Sequence, residues 1–376
     1  MPQKMEAIVW DGTPYPGCLS YQQVEIPKPA PGWVLFNTRA VGICGSDLHI
    51  VYGEINYLIP KKNIPAILGH ENAGVVVAVG EGVTDLEPGD RVAVEPLHGC
   101  MQFGDSCPMC AIGKYHICQK GLVHVGVPLV QMLPGGFGEY SVAHHTRCFK
   151  IPDTVSLEEA ALLDILAVNV HAANLARPCV GTTTAVIGCG VIGLDMIQTL
   201  RAWGVTEIIA VAKYPFQGEI ALKLGAREVI LMNGNSDPVL ELMRLTGGWG
   251  VDQVYECVGG LTDAVDQSTR MCHPGGNVLM LGGASQPRPI DLQMMLLREV
   301  NILSSMSYAT YDSKREFQIA MNMLRDRQVD HRSLITHRFA PSEYRQAFDT
   351  AMSKGEYKAL KVMFVRNSSK HVVTMT

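Results

Sequence analysis

Two groups of residues have types and spacings that could hold a metal. Cys100, Cys107, Cys110 and Cys118 are separated by six, two and seven residues. Thiolates at such short intervals can close tetrahedrally on zinc, and the intervening Gly104, Pro108 and Gly113 mark a loop. A closed set of four cysteines is a structural site, because no position is left for a substrate. The second group is dispersed: Cys44-Gly-Ser46-Asp47-Leu-His49 and, further on, Gly69-His70-Glu71. A thiolate, an imidazole and a carboxylate make a zinc set with room for a substrate if they converge. Spacing leaves convergence open, since Cys44 alone reads equally as a buried apolar cysteine and His70 as a hydrogen-bonded structural histidine. The other six of the eleven cysteines, Cys18, Cys148, Cys179, Cys189, Cys257 and Cys272, read as small apolar residues. His144-His145 is discounted as a further metal pair, because adjacent strand residues point to opposite faces.

A third motif suits a dinucleotide. Gly188-Cys-Gly190-Val191-Ile192-Gly193 follows an apolar strand and opens a helix with Leu194, Ile197 and Leu200 on one face. The first glycine permits a tight turn, the second lets the backbone approach a pyrophosphate, and the third lets helix and strand pack closely. About 20 residues on, an acidic side chain normally meets the adenosine ribose. Here the second strand ends at Ala212 and runs into Lys213. Without the carboxylate a 2′-phosphate is not repelled, and Lys213 can attract it, so the expected cofactor is NADP(H) in preference to NAD(H).

The elements that must position these residues differ along the chain. From about 6 to 151, short β-rich runs (7–10, 34–41, 74–79, 91–95 and 139–143) alternate with Gly, Pro and Asp, the texture of an antiparallel or barrel-like β domain. After a helical stretch at 157–163, strands at 184–187, 208–212, 228–231, 251–255, 277–281 and 301–305 are separated mostly by helix-length segments, which predicts one doubly wound parallel sheet. A helix near 312–324 and a strand near 360–365 are expected to rejoin the first domain, and the tail at 367–376 reads as polar and mobile.

Composition narrows the function classes. At roughly 150 residues per domain, 376 residues make two or three domains, and a 47% hydrophobic share supports a sizeable core. The net charge of −5 and scattered Lys and Arg exclude a nucleic-acid or membrane-surface protein, both of which need a concentrated positive field. No apolar stretch resembles a signal peptide or a membrane span, so the expectation is a cytoplasmic protein, where cysteines do not build a disulfide framework. The low charged fraction, 18%, points to buried subunit contacts in a homodimer or homotetramer.

In their order along the chain, Cys44-Gly-Ser-Asp-x-His49, Gly69-His-Glu-x-x-Gly74, the cysteine lobe, Gly135-Gly-Phe-Gly-Glu139-Tyr and Gly188-x-Gly-x-x-Gly193 resemble the zinc-dependent medium-chain alcohol dehydrogenases, in particular the sorbitol and threonine dehydrogenase branch. The resemblance covers about 6 to 365. It implies a GroES-like catalytic domain (1–163 and 307–376) split around a Rossmann domain (164–306). It also implies two zinc ions per chain: a structural one on the four cysteines, and a catalytic one on Cys44 and His70, with Glu71 as ligand or close support. The family's third ligand position falls at Asp164, one methylene shorter than the usual Glu, and either Asp164 or Glu71 is the direct carboxylate ligand. The lobe's first gap is longer than is usual, which leaves Cys100 the loosest member. Ser46 and His49 match the family's proton relay, and Tyr52, Ile59 and Arg298 match its substrate region. The implied reaction is hydride transfer between NADP(H) and a small polar secondary alcohol or ketone of polyol, cyclitol or hydroxy acid type. Two alternatives are a zinc-free quinone or enoyl reductase and a catalytically silent NADPH-binding protein.

Overall fold

The computed structural model describes residues 4–232, 234, 237–283 and 286–366, so the tail at 367–376 lies outside the described residues. The chain forms two compact units. One comprises the chain up to Asp164, Ala309–Arg325 and the described residues from His331 onward, and the other is Ile165–Tyr308 with the short return Asp326–Asp330.

The first unit opens with an antiparallel pair, β1 (Lys4–Trp10) and β2 (Leu19–Glu25). β3 (Trp33–Gly42) leads into helix α1 (Gly45–Val51), and β4 (Glu71–Val79) runs back antiparallel to β3 with β5 (Arg91–Val94) beyond it. Val34, Phe36, Val76, Val92 and Val94 on these strands are buried together, which fixes which face of the sheet turns inward. β6 (Leu97–His98), the short helix α2 (Pro108–Ala111) of the cysteine loop, β7 (Val123–Val125) and β8 (Gln131–Leu133) follow, and β7 lies between β6 and β8. β9 (Tyr140–His144) pairs with β3 and β10 (Cys148–Lys150) with β5. Helix α3 (Leu157–Ala161) begins with a reciprocal cap: Ser156 Oγ accepts from the Glu159 amide while Glu159 accepts from the Ser156 amide. The boundary between the units falls within α4 (Leu163–Ala176).

The second unit alternates strands and helices: β11 (Thr183–Ile187), α5 (Val191–Ala202), β12 (Glu207–Ala212), α6 (Pro215–Lys223), β13 (Glu228–Leu231), α7 (Pro238–Leu245), β14 (Val251–Glu256), α8 (Ala264–Met271), β15 (Cys272–Met280), α9 (Leu292–Arg298) and β16 (Asn301–Ser304). All neighbours are parallel, in the order β13-β12-β11-β14-β15-β16. This is a Rossmann sheet, whose order reverses between β11 and β14, and ligands bind such sheets outside the carboxyl ends of the strands at that reversal. β15 starts five residues before the run read at 277–281, because Cys272 already pairs with Val251 ahead of a register shift. The intervening His273-Pro-Gly-Gly carries no strand-forming side chain, so the sequence texture hides it.

The chain then returns through β17 (Thr310–Tyr311), β18 (Lys314–Arg315), α10 (Glu316–Arg325), β19 (Ile335–Phe339), α11 (Tyr344–Met352), α12 (Lys354–Tyr357) and β20 (Lys361–Val365). The helix expected from 312 starts only at Glu316, because Asp312 and Ser313 take positive φ and turn β17 into β18. β20 inserts beside β3, with Met363 opposite Gly42, and completes a seven-stranded sheet in the order β10-β5-β4-β3-β20-β19, with β9 on β3. The GroES-like unit is thus closed by its last strand. Asp326–Asp330 is held to the second unit by the Asp330 amide, which donates to Gln198 Oε1 at 2.6 Å.

Candidate functional site

The end of β3, the start of α1 and the start of β4 bring three potential ligands together. One ligand atom each from Cys44, His70 and Glu71 lies within 4.8 Å of the others. Cys44 is the N-cap of α1, and its amide donates to Asp47 Oδ2 at 2.9 Å, which ties the thiol-bearing residue to the first helical turn. Asp47 is fully buried, and its Oδ1 faces His70 Nδ1 at 3.7 Å, neither atom having a hydrogen-bond partner. His70 thus turns Nδ1 toward a carboxylate and leaves Nε2 on the side of Ser46, whose Oγ is 3.5 Å away. Burial alone pushes His70 down, but Cys44 and Asp47 outweigh it and hold the imidazole well above its ordinary value. A field that draws a proton onto this cluster also draws a divalent cation, so the donor set fits zinc.

Glu71 opens β4 directly opposite Gly42 of β3. Its two carboxylate oxygens each accept from Lys361 Nζ at 2.8 Å, and both residues are buried. Lys361 also donates to the Ile43 carbonyl at 3.1 Å. Burial pushes Lys361 down, and Glu71 with Cys44 reverses that and holds the ammonium above its ordinary value. Asp164, in the first turn of α4, stands outside the three-ligand set but adds negative potential at His70. His49 lies on α1 with Nδ1 2.5 Å from Glu54 Oε2, and both side chains reach solvent. Tyr52 follows α1 with its ring 5.1 Å from that of Tyr15, while Ile59 is buried in the core cluster that also holds Leu48 and Val51.

The four lobe cysteines also converge, with their sulfurs within 4.8 Å of one another, Cys100 included. Cys107 caps α2, and the Cys110 amide bonded to its sulfur at 3.4 Å is the chief cause that pulls its thiol down to about 6. The lobe rests on a buried polar network: Tyr115 donates to Glu95, and Arg147 lies 2.9 Å from Glu95 and 3.7 Å from the Tyr115 ring centre. A preorganised thiolate within a closed set of four sulfurs fits a structural zinc.

In the second unit, Gly188 turns with φ 94° after β11, and a methyl group on Gly193 would come within 1.9 Å of the Gly188 carbonyl. Gly190 caps α5, which begins at Val191 and Ile192, so the helix start is free of side-chain bulk on that turn. Lys213 is exposed just after Ala212 ends β12, its Nζ 5.4 Å from the Tyr214 ring centre. Arg298 closes α9 and donates to the Cys272 and Arg270 carbonyls, at 2.5 and 3.5 Å.

Known proteins share this arrangement. The family model "Alcohol dehydrogenase GroES-like domain" matches residues 30–153 and "Zinc-binding dehydrogenase" matches 191–326. Sorbitol dehydrogenase of Bacillus subtilis (strain 168) is 33% identical over 371 residues, 98% of this chain and 99% of that protein. A zinc-binding dehydrogenase of Sinorhizobium meliloti 1021, solved with NADP bound, superposes with a TM-score of 0.83 at 29% identity, covering 97% of this chain and all of that one. An alcohol dehydrogenase of Escherichia coli CFT073, solved with NADH, superposes with a TM-score of 0.83 at 27% identity, covering 96% of this chain and 99% of that one.

The chain belongs to the zinc-dependent medium-chain alcohol dehydrogenases. It is similar to sorbitol dehydrogenases, and it is an oxidoreductase acting on secondary alcohols. Four features of this alcohol dehydrogenase escape a reading of the sequence. Lys361 carries no motif, and only the pairing of β20 with β3 brings it to Glu71. His124 stands alone in a short strand, yet its ring lies 5.7 Å from that of His70 at 84°. The rings of His144 and His145 do not diverge but lie 4.7 Å apart, because β9 ends at His144 and the backbone turns into a 3-10 segment. Cys179, read as apolar, is exposed. Among the described residues no helix is long and apolar enough to cross a membrane.

Proposed function

We propose that the chain transfers hydride between NADP(H) and a small polar secondary alcohol or its ketone, of polyol, cyclitol or hydroxy acid type. The observation that carries this reading is the convergence of Cys44, His70 and Glu71, with Ser46 against the imidazole. Cys44 and His70, with Glu71 or Asp164 as the carboxylate, would hold a catalytic zinc, and Cys100, Cys107, Cys110 and Cys118 a structural one. Bound at the first site, zinc supplies Lewis acidity to the substrate oxygen, and the nicotinamide accepts or donates the hydride.

The chain's own residues do the rest. Asp47 places a buried carboxylate beside His70 Nδ1, and Lys361 balances the charge of Glu71, so the charges around the ligands are in place before substrate arrives. Ser46 would bridge the substrate oxygen to the nicotinamide ribose, accepting the hydroxyl proton as it gives up its own, and His49, at the solvent end of α1, would pass the proton out to solvent. Tyr52 offers an aromatic wall beside that path. Gly188, Gly190 and Gly193, with the amides of Val191 and Ile192, seat the pyrophosphate, and Lys213 meets the 2′-phosphate where an acidic residue is missing. Leu292, Leu296 and Leu297, all more than two-thirds exposed on α9, which packs on β15, support a homodimer or homotetramer. A cytoplasmic setting fits the unpaired cysteines.

The test is metal analysis of the purified protein together with oxidation of a panel of polyols, cyclitols, hydroxy acids and simple secondary alcohols, with NADP+ and NAD+ in parallel. Zinc-dependent turnover that Cys44→Ala abolishes is the expected result. Full activity in Cys44→Ala would overturn the reading.

A further inference from the structure

His124 has no part in the ligand set, yet it stands against it. β7 buries Val123 and Val125 on one face, and alternation turns His124 to the other. There its ring meets that of His70 edge to face at 5.7 Å. Its nitrogens lie outside the cluster formed by Cys44, His70 and Glu71, so it is a neighbour of that site and not a fourth ligand to it.

The hydrogen bonding of the ring fixes what it can do. Nδ1 is 2.9 Å from the Val125 carbonyl oxygen, which can only accept, so Nδ1 carries the proton and Nε2 presents a lone pair. Among the described residues nothing bonds Nε2, and it is not one of the buried polar atoms cut off from solvent. The chain thus offers, beside its proposed metal ligands, a half-buried acceptor held in one tautomer with nothing of its own to accept from.

We propose that His124 Nε2 accepts a hydrogen bond from a hydroxyl on the carbon next to the one oxidised, so that the site selects vicinal diols, as in polyols and cyclitols, over 2-hydroxy carboxylates. A hydroxyl brings a proton to this lone pair, whereas an ionised carboxylate brings only further lone pairs. An alcohol with neither group leaves Nε2 desolvated and unpaired, which costs binding. The inference rests on the dehydrogenase reading above and narrows its substrate class.

The experiment uses the zinc-loaded enzyme with NADP+ and compares 2,3-butanediol, 2-butanol and lactate. The diol is expected to have the highest kcat/KM. His124→Phe should lose about tenfold or more on the diol, chiefly through KM, while 2-butanol is unchanged or improved because no unpaired acceptor is left, and His124→Gln, which keeps an acceptor, should recover part of the loss on the diol. Zinc content of each variant is measured alongside, and is expected to equal that of the wild type. A preference for lactate, or a loss in His124→Phe that is absent or equal for diol and 2-butanol, overturns the proposal. A second readout needs no turnover: titrating 2,3-butanediol into the zinc-loaded protein should move the ¹⁵N resonance of His124 Nε2, and lactate should not. If the wild type oxidises neither alcohol, the dehydrogenase reading fails, and the resonance still decides whether His124 meets a diol.

Discussion

Gly42 lies directly opposite Glu71 in the antiparallel register of β3 and β4, and a methyl group there would come within 1.8 Å of Glu71 Oε2. The carboxylate cannot swing aside freely, because Lys361 holds both of its oxygens. Gly42→Ala should therefore destabilise the first unit by about 1–3 kcal/mol, the usual cost of overpacking. Urea unfolding followed by tryptophan fluorescence measures it, and an unchanged midpoint would show that Glu71 has room to move.

Replacing Lys361 should be harsher. Lys361→Met leaves the Glu71 carboxylate buried without its counter-ion, a change that costs about 3–5 kcal/mol when one partner of such a pair is lost. Lys361→Arg keeps the charge and should retain much more stability. The comparison is a pair of denaturation midpoints, with zinc content of the refolded proteins as a check on the neighbouring ligands. Equal midpoints for Met and wild type would mean that the ion pair contributes nothing net.

In the lobe, Cys107→Ser removes the thiol whose affinity for a proton is lowest among the cysteines whose values shift there. The expected outcome is loss of one zinc equivalent per chain and faster proteolysis of the lobe, while the zinc assigned to Cys44 and His70 stays bound. A colorimetric zinc assay after proteolysis and after full denaturation separates the two pools.

For the cofactor, Lys213→Asp restores an acidic side chain beside the ribose position. The KM for NADP+ should rise roughly tenfold or more while that for NAD+ stays within about twofold. If both constants move together, Lys213 is a solvated loop residue and the preference lies elsewhere.

Acid stability offers a further check. Burial pushes Asp252 up, but the hydroxyl and amide of Thr183, at 2.6 and 2.7 Å, outweigh it together with His273, and hold the carboxyl below its ordinary value. A folded-state value below the unfolded one means that this contribution is present above about pH 4 and is lost as pH falls through the folded value. Wild-type unfolding midpoints should therefore drop more steeply below about pH 4 than those of Asp252→Asn. Parallel slopes would show that the Thr183 bonds do not favour the ionised form.

What could be read without the structure follows the range of the interaction. The cysteine lobe and the Gly188 turn are local, so spacing alone exposes them, and the alternating texture announces the Rossmann sheet. The meeting of Cys44 with His70 depends on a strand pairing across some thirty residues, which a family resemblance supplies and spacing does not. Lys361 and His124 are harder still. Each is a single polar residue in a short strand, and its importance lies wholly in which neighbour the tertiary fold sets beside it. β15 shows the converse, since His273-Pro-Gly-Gly has no strand propensity and is carried into the sheet by its partner β14.

The lysine that neutralises Glu71 comes 290 positions after it in the chain. During synthesis the whole nucleotide-binding unit therefore emerges before the charge that makes this carboxylate tolerable in the interior. A ribosome-bound chain ending before β20 has Cys44, His70 and Glu71 in hand but lacks both Lys361 and the strand that lies along β3. Completion of the sheet and maturation of the proposed metal site thus fall at one moment, the release of the carboxyl-terminal segment. A message truncated before the codons of β20 would yield a chain with nearly all of its catalytic residues and no finished place to put them.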